Sequence, residues 1–288
     1  MLAESFQTTQ VDKPFRPFHI VLAGALLLAA VGAVYRDVVP SWVTDLWTDP
    51  NYSHGLLVPA VSVWLAYQRR DELLALAPKP ALSAIVLIAF ALLLFAAGGL
   101  AAELFTTRLS MVVLLCGLVA FILGYGYLRV LALAIGFLLF MVPLPTVVFN
   151  AIAFPLQLLA SQFAIAVLHA LGMPALGEGN VIMLPNTSLE VAEACSGLRS
   201  LISLGATSFL IAAVSLRRPV ARLALVLLSV PVAVLMNAVR VSGTGILAYH
   251  FGPSVAEGFF HGFSGWLIFL AALASLGMLA ALLRRLEA

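Results

Sequence analysis

The feature that most constrains this chain is a succession of apolar runs, most of them long enough to cross a bilayer, which takes roughly 17–25 residues. They occupy residues 18–35, 55–68, 81–101, 109–128, 130–149, 198–216, 220–247 and 262–283, the second being short and carrying Pro59. Of the 288 residues 63% are hydrophobic and only 10% charged, whereas a soluble domain carries about 25% charged residues. Backbone in lipid must satisfy its own hydrogen bonds, and a helix does so within one segment. The chain is therefore expected to be an all-α membrane protein of about eight transmembrane helices, forming a single polytopic membrane domain over residues 1–288. No small-residue cleavage site clearly ends the first run, so it reads as a retained helix and not as a signal peptide.

The cations orient the runs, because short cytoplasmic loops are enriched in Lys and Arg. Lys13 and Arg16 precede the first run, in a polar tail over residues 1–17. Arg69, Arg70 and Lys79 follow the second, and Arg129 separates the fourth and fifth. Arg217, Arg218 and Arg222 separate the sixth and seventh, and Arg284 and Arg285 close the eighth. With eight crossings all of these fall on one side, which makes both termini cytoplasmic. The opposite loops, 36–53, 103–108, 150–196 and 248–261, carry Asp37, Asp45, Asp49, Glu178, Glu190 and Glu257 and few cations.

Residues 150–171 are also apolar, yet a crossing there would throw Arg217 and Arg218 outside. Asn150, Gln157, Ser161, Gln162 and His169 recur at roughly helical spacing and form a polar stripe. The segment is expected to be an interfacial or re-entrant helix on the outer side, a ninth crossing being the alternative. It opens an outer segment, 150–196, in which Val181–Leu184 and 189–191 read as short extended pieces around a Pro185-Asn186-Thr187 turn. No internal repeat is visible.

The densest chemistry lies in Leu-Glu-Val-Ala-Glu-Ala-Cys-Ser-Gly-Leu-Arg-Ser, residues 189–200. Cys195 sits between Glu190 and Glu193 on one side and Arg199 on the other. If the helix has begun by Cys195, Arg199 lies one turn on and shares its face. A thiolate is the reactive form of cysteine, and a cation or a helix N-terminus lowers the thiol pKa. Cys195 thus reads either as a nucleophile or as an inert structural cysteine; Cys116, in mid-run, reads as packing. The seventh run enters from Arg217–Arg222, and at 1.5 Å per residue Arg240 lies about 27 Å up, near the outer surface. Asn237, three residues back, is a candidate partner for Arg240. Gly243 and Gly245 permit close approach of another helix or peptide. The eighth run begins at His261, again outside, where His261 reads as an acid–base group or as an aromatic-belt residue. Ionisable groups inside apolar runs are functional candidates, and here Cys195, Arg240 and His261 converge on one membrane face.

The blocks Glu-Ala-Cys-Ser-Gly-Leu-Arg-Ser, Asn-Ala-Val-Arg-Val and His-Gly-Phe-Ser-Gly-Trp, in that order on successive helices, resemble the exosortase/archaeosortase family. So do Tyr52-Ser53-His54-Gly55 with Pro59, and Val142-Pro143-Leu144-Pro145. The resemblance runs over nearly the whole chain and is most specific from Glu193 to Trp266. It implies a bacterial inner-membrane cysteine protease and transpeptidase with its site facing the periplasm. Its partners would be membrane-anchored exported proteins bearing the C-terminal Pro-Glu-Pro (PEP-CTERM) signal. The family's Cys, Arg and His correspond to Cys195, Arg240 and His261.

The chemistry is coherent on its own terms. A Cys195 thiolate would attack a peptide carbonyl, His261 would keep it ionised and then protonate the leaving amine, and Arg240 would stabilise the oxyanion. His54, at another outer helix end, is the rival base, and also reads as a substrate-contact residue. Arg199 is the rival cation, or orients Glu193 and the Cys195 loop. Ser196 completes the supporting set. No Cys/His spacing suits zinc, no Gly-rich loop suits phosphate and no basic surface suits nucleic acid, so no cofactor or metal is expected. The competing class is a transporter or polymer-export component whose intramembrane Arg240 and His261 bind an anion or relay protons.

Overall fold

The computed structural model describes residues 29–49, 51–185, 187–191, 198–252 and 258–287. They divide into two compact units at Trp42/Val43. In the first, residues 29–34 are helical; the tail at 1–17 and most of the first apolar run lie outside the described residues. In chain order the helices are α1 (Val38–Thr48), α2 (Val58–Tyr67), α3 (Arg70–Ala75), α4 (Ile85–Leu100), α5 (Leu104–Ile122), α6 (Tyr125–Phe137) and α7 (Thr146–Ala170). Three short strands follow, then α8 (Leu198–Ser215), α9 (Pro219–Phe251) and α10 (Gly258–Glu287).

The protein is an all-α membrane protein by mass of structure. Five segments are long and apolar enough to cross a bilayer: Leu82–Leu100, α5, α7, α9 and Phe263–Glu287. Val58–Tyr67, Tyr125–Met141 and Arg199–Ser215 are apolar but shorter. Of the eight apolar runs, four become helices of spanning length and three become shorter ones, the first run lying mostly outside the described residues; the fifth spanning segment is α7.

The fourth and fifth runs divide earlier than expected. The break falls at Gly124 and not at Arg129, which lies inside α6. Gly124 has φ 99°, and a Cβ there would stand 2.2 Å from the Lys79 carbonyl oxygen. Only glycine suits that turn. The 79–81 segment is pinned alongside by the Lys79 N–H donating to the Leu123 carbonyl at 3.0 Å. Likewise 103–108 is less a loop than a helix start. Glu103 caps α5, accepting from the N–H groups of Phe105 at 2.9 Å and Thr106 at 2.6 Å. Such a carboxylate satisfies donors that the first turn leaves over.

Helix α7 corrects one form of the expectation for residues 150–171. It is one uninterrupted helix of 25 residues through Pro155, about 37 Å long, and not a re-entrant hairpin. A proline is tolerated where neighbouring packing continues, and Ala160, Ala164 and Leu168 pack without a gap against Val241 and Ala248 of α9. Its first residues share a cavity with Tyr52 and Glu103. Its last turns lie against the C-terminal part of α9, beyond Arg240, and the helix has the length and apolarity of a crossing.

The extended pieces form an antiparallel sheet in the order β1 (Leu176–Glu178), β2 (Val181–Leu184), β3 (Thr187–Glu190). The β2–β3 register pairs Val181 with Glu190 and Leu184 with Thr187, and β1 is a strand that alternation did not reveal. Ile182, Leu184 and Val191 bury their side chains against α7 and α9. The polar stripe of α7 partly serves this sheet: Ser161 Oγ donates to the Gly179 carbonyl at 3.1 Å, and His169 Nε2 lies 2.7 Å from the Ala175 carbonyl oxygen. Gly245 faces α7, where a Cβ would come within 3.3 Å of Leu168; Gly243 faces open space.

Candidate active site

A cavity of about 610 Å³ lies where α2, α6, α8, α9 and α10 meet. Five chain segments build it, α6 contributing Phe137. The one-turn 3-10 helix Ser53–Leu56 and the start of α2 supply His54, Leu57 and Val61. Helix α8 supplies Arg199, Ser203 and Thr207, α9 supplies Arg240, and α10 supplies Gly265, Trp266 and Phe269. Its floor is aromatic: Phe137 lies 5.7 Å from Phe140 and 5.9 Å from Phe209, ring centre to ring centre. The described lining thus carries two guanidinium groups and one imidazole within mostly apolar walls.

Each polar group is held differently. Arg240 packs against the backbone of α10: a Cβ at Gly265 would stand 3.2 Å from Nη2 and 3.3 Å from Cζ. Any side chain there would push the guanidinium aside. Asn237, one turn earlier on α9, is buried and lines a narrow gap beside Arg240 with Ser200 and Gly265. Arg199 reaches out of α8, its Nε donating to Asn51 Oδ1 at 3.2 Å, so it is tied to the segment that carries His54. The His54 Nδ1 stands 3.5 Å from Ser203 Oγ. Its Nε2 is buried with no hydrogen-bond partner among the described residues. Burial lowers the His54 pKa, with the Phe140 carbonyl acting in the opposite sense.

The wall behind His54 is rigid. Tyr52, ring centre 6.5 Å from that of His54, accepts the Leu144 N–H on its hydroxyl at 3.1 Å. This contact joins the Tyr52–Gly55 block to the Val142–Pro145 block. At α2, Ser62 Oγ donates to the Ala134 carbonyl of α6 at 2.6 Å. Two apolar lining residues are largely exposed, Leu57 at 68% and Trp266 at 62%.

Of the residues singled out from sequence, His54, Arg199 and Arg240 meet in this cavity and Asn237 adjoins it. Cys195, Glu193 and Ser196 lie outside the described residues. His261 lies in the first turn of α10, one turn before Gly265, with its side chain outside the described set. Ser203 and Thr207 went unnoticed, although Arg199, Ser203 and Thr207 recur at the helical interval of four and mark one polar face of α8.

A model of the transmembrane exosortase family matches residues 46–278, a span that takes in every wall of the cavity. The chain belongs to the transmembrane exosortase family. Comparison with curated proteins and with solved structures finds no match. At the level of the family, this exosortase is a multi-pass membrane sorting transpeptidase acting on exported proteins in the membrane.

Proposed function

We propose that this exosortase cleaves the C-terminal Pro-Glu-Pro sorting signal of exported, membrane-anchored proteins at the periplasmic face of a bacterial inner membrane, with Cys195, Arg240 and His261 as the catalytic unit. The observation that carries the reading is the convergence of α8 near its start, Arg240 of α9 and the early turns of α10 on one cavity with exposed apolar residues in its lining. Cys195 is four residues from Arg199, and four residues of chain reach at most about 14 Å. His261 is one helical turn from Gly265, against which Arg240 packs.

The Cys195 thiolate attacks the scissile carbonyl carbon and the Arg240 guanidinium takes the developing oxyanion. The C–N bond then breaks, His261 gives its proton to the departing amine, and a thioester remains. A second nucleophile with an N–H or O–H group releases the acyl chain. The exposed apolar lining suits a substrate whose own helix stays in the lipid. Eight crossings with both termini cytoplasmic accompany the reading, so a reporter fused after Gly172 should behave as periplasmic and one fused after Arg218 as cytoplasmic.

The deciding experiment co-expresses an exported protein carrying the Pro-Glu-Pro signal and follows its length. Cys195→Ala should leave it unprocessed at equal expression, and Cys195→Ser nearly so, because an alcohol lacks the low pKa of the thiol. Normal processing by Cys195→Ala would favour the transporter reading of Arg240 and His261.

A further inference from the structure

Two acid–base demands follow one another in a thioester mechanism, and they are opposite. The first half needs a charged imidazole beside the thiolate, to balance it and then protonate the amine that leaves. The second half needs an uncharged imidazole, to take a proton from the incoming nucleophile. His54 suits only the second. It shares its cavity with the fixed positive charges of Arg199 on α8 and Arg240 on α9. Tyr52, the other titratable group against the ring, is buried, and burial holds its phenol protonated. Burial disfavours an imidazolium here, the Phe140 carbonyl acting in the opposite sense. The geometry agrees. Nδ1 stands 3.5 Å from Ser203 Oγ, and in the tautomer with its proton on Nδ1 the lone pair is on Nε2, which is buried and has no hydrogen-bond partner among the described residues.

His54 also stands at a boundary. Asn51 and Tyr52, just before it, line a second, polar cavity of about 710 Å³. Arg199 and His54 line the first space, and Asn51, which accepts the Arg199 hydrogen bond, lines the second.

We propose that His54 is the general base of the second half-reaction, its Nε2 accepting the proton of an amine or hydroxyl nucleophile as that group attacks the thioester. The inference rests on the thioester chemistry proposed above. The nucleophile's N or O bonds to the acyl carbon, its proton passes to Nε2, the C–S bond breaks, and the electron pair returns to Cys195 as thiolate. The imidazolium then releases its proton to water.

The test uses the full chain in lipid nanodiscs and a synthetic peptide with a Pro-Glu-Pro segment followed by an apolar helix. Glycinamide is the probe nucleophile, and acyl-enzyme is read by intact-mass spectrometry. His54→Gln should form the acyl-enzyme normally and accumulate it, with release to glycinamide about 10²–10⁴-fold slower. Hydroxylamine, whose amine is unprotonated at neutral pH, should largely relieve the block, which a purely structural defect would not permit. Wild-type release to glycinamide by His54→Gln overturns the proposal. So does a variant that forms no acyl-enzyme although iodoacetamide alkylates its Cys195 at the wild-type rate, since His54 would then serve the first half.

Should His54→Gln fail to fold, the wild-type chain decides. Hydrolysis of its acyl-enzyme by water should slow as pH falls through a midpoint below the ordinary His value of about 6.5, because only the neutral ring is a base. A rate that is flat from about pH 8 to about pH 4 overturns the assignment. If no acyl-enzyme forms on the wild-type chain and Cys195→Ala still processes substrate, the thioester reading itself has failed and not this extension of it.

Discussion

Two cavities are lined by neighbouring residues of the segment Asn51–His54, and each holds an arginine. In the polar one, Arg108 of α5 has a side chain only 3% exposed and forms an ion pair with Asp45, whose side chain is 45% exposed. Thr48, Asp49, Glu103 and Asn150 line the same space. In the other, Arg240 packs against the α10 backbone at Gly265, among Leu, Val, Phe and Trp side chains. A guanidinium matched with a carboxylate is committed to holding elements together. One laid against a glycine of another helix within apolar walls is positioned by packing, at a place where low polarity strengthens any interaction with an anion. The contrast separates structural from chemical use of the same residue type.

Four substitutions test the contrast, in descending size of effect. On the proposed reading, Arg240→Lys keeps the charge but loses the planar fork. Processing should fall about 10²–10³-fold, the loss typical of an oxyanion donor, while thermal stability in detergent stays near wild type. An Arg240→Lys variant that processes normally would remove Arg240 from the chemistry. Asp45→Ala should do the reverse. It removes the carboxylate from a buried guanidinium, which costs about 3–5 kcal/mol when both partners are buried. With Asp45 half exposed, about 2–3 kcal/mol is expected, read as a lower melting temperature with the processing rate of the folded fraction little changed.

Gly265→Ala should split the two readouts within one residue. Alanine is about 1 kcal/mol better than glycine inside a helix, so α10 gains stability. The new methyl displaces the Arg240 guanidinium by a few tenths of an ångström. A misplacement of about 1 Å can cost 10²-fold in rate, so a loss of about tenfold in processing is expected. A variant both more stable and fully active would show that the close packing of Arg240 on α10 has no catalytic consequence. Last and smallest, Tyr52→Phe removes the hydroxyl that accepts the Leu144 N–H. One such bond is worth about 1 kcal/mol, and its loss should soften the wall behind His54 and lower stability by that amount. Equal stability of the two proteins would show that the wall does not depend on this bond.

Much of this was legible in the chain itself. Apolar runs of membrane length led directly to a helical membrane protein, because lipid offers the backbone no alternative partner. The starts and ends of α8, α9 and α10 fall within a few residues of the runs at 198–216, 220–247 and 262–283, since Pro and Gly close those runs. That Arg240 belongs with the beginnings of α8 and α10 followed from counting 1.5 Å per residue along alternating helices. The β2–β3 hairpin was visible in a Pro-Asn turn between two extended pieces.

What the tertiary structure decided is what depends on contacts between distant residues. Nothing local in Ser-His-Gly says that His54 comes within 3.5 Å of Ser203, 149 positions on. Nor does Gly265 announce that it makes room for a guanidinium from another helix. Arg108 and Asp45 stand 63 positions apart, one inside an apolar helix and one in an acidic outer stretch, and only folding makes them a pair. Residues 146–170 have the length and apolarity of a crossing, but that Ala160, Ala164 and Leu168 pack on the far part of α9 is decided only by folding. Hydropathy measures the preference of a segment for lipid, which is a local sum. Where a helix lies, and which side chains it brings together, is set by complementary surfaces, which no single stretch of sequence contains.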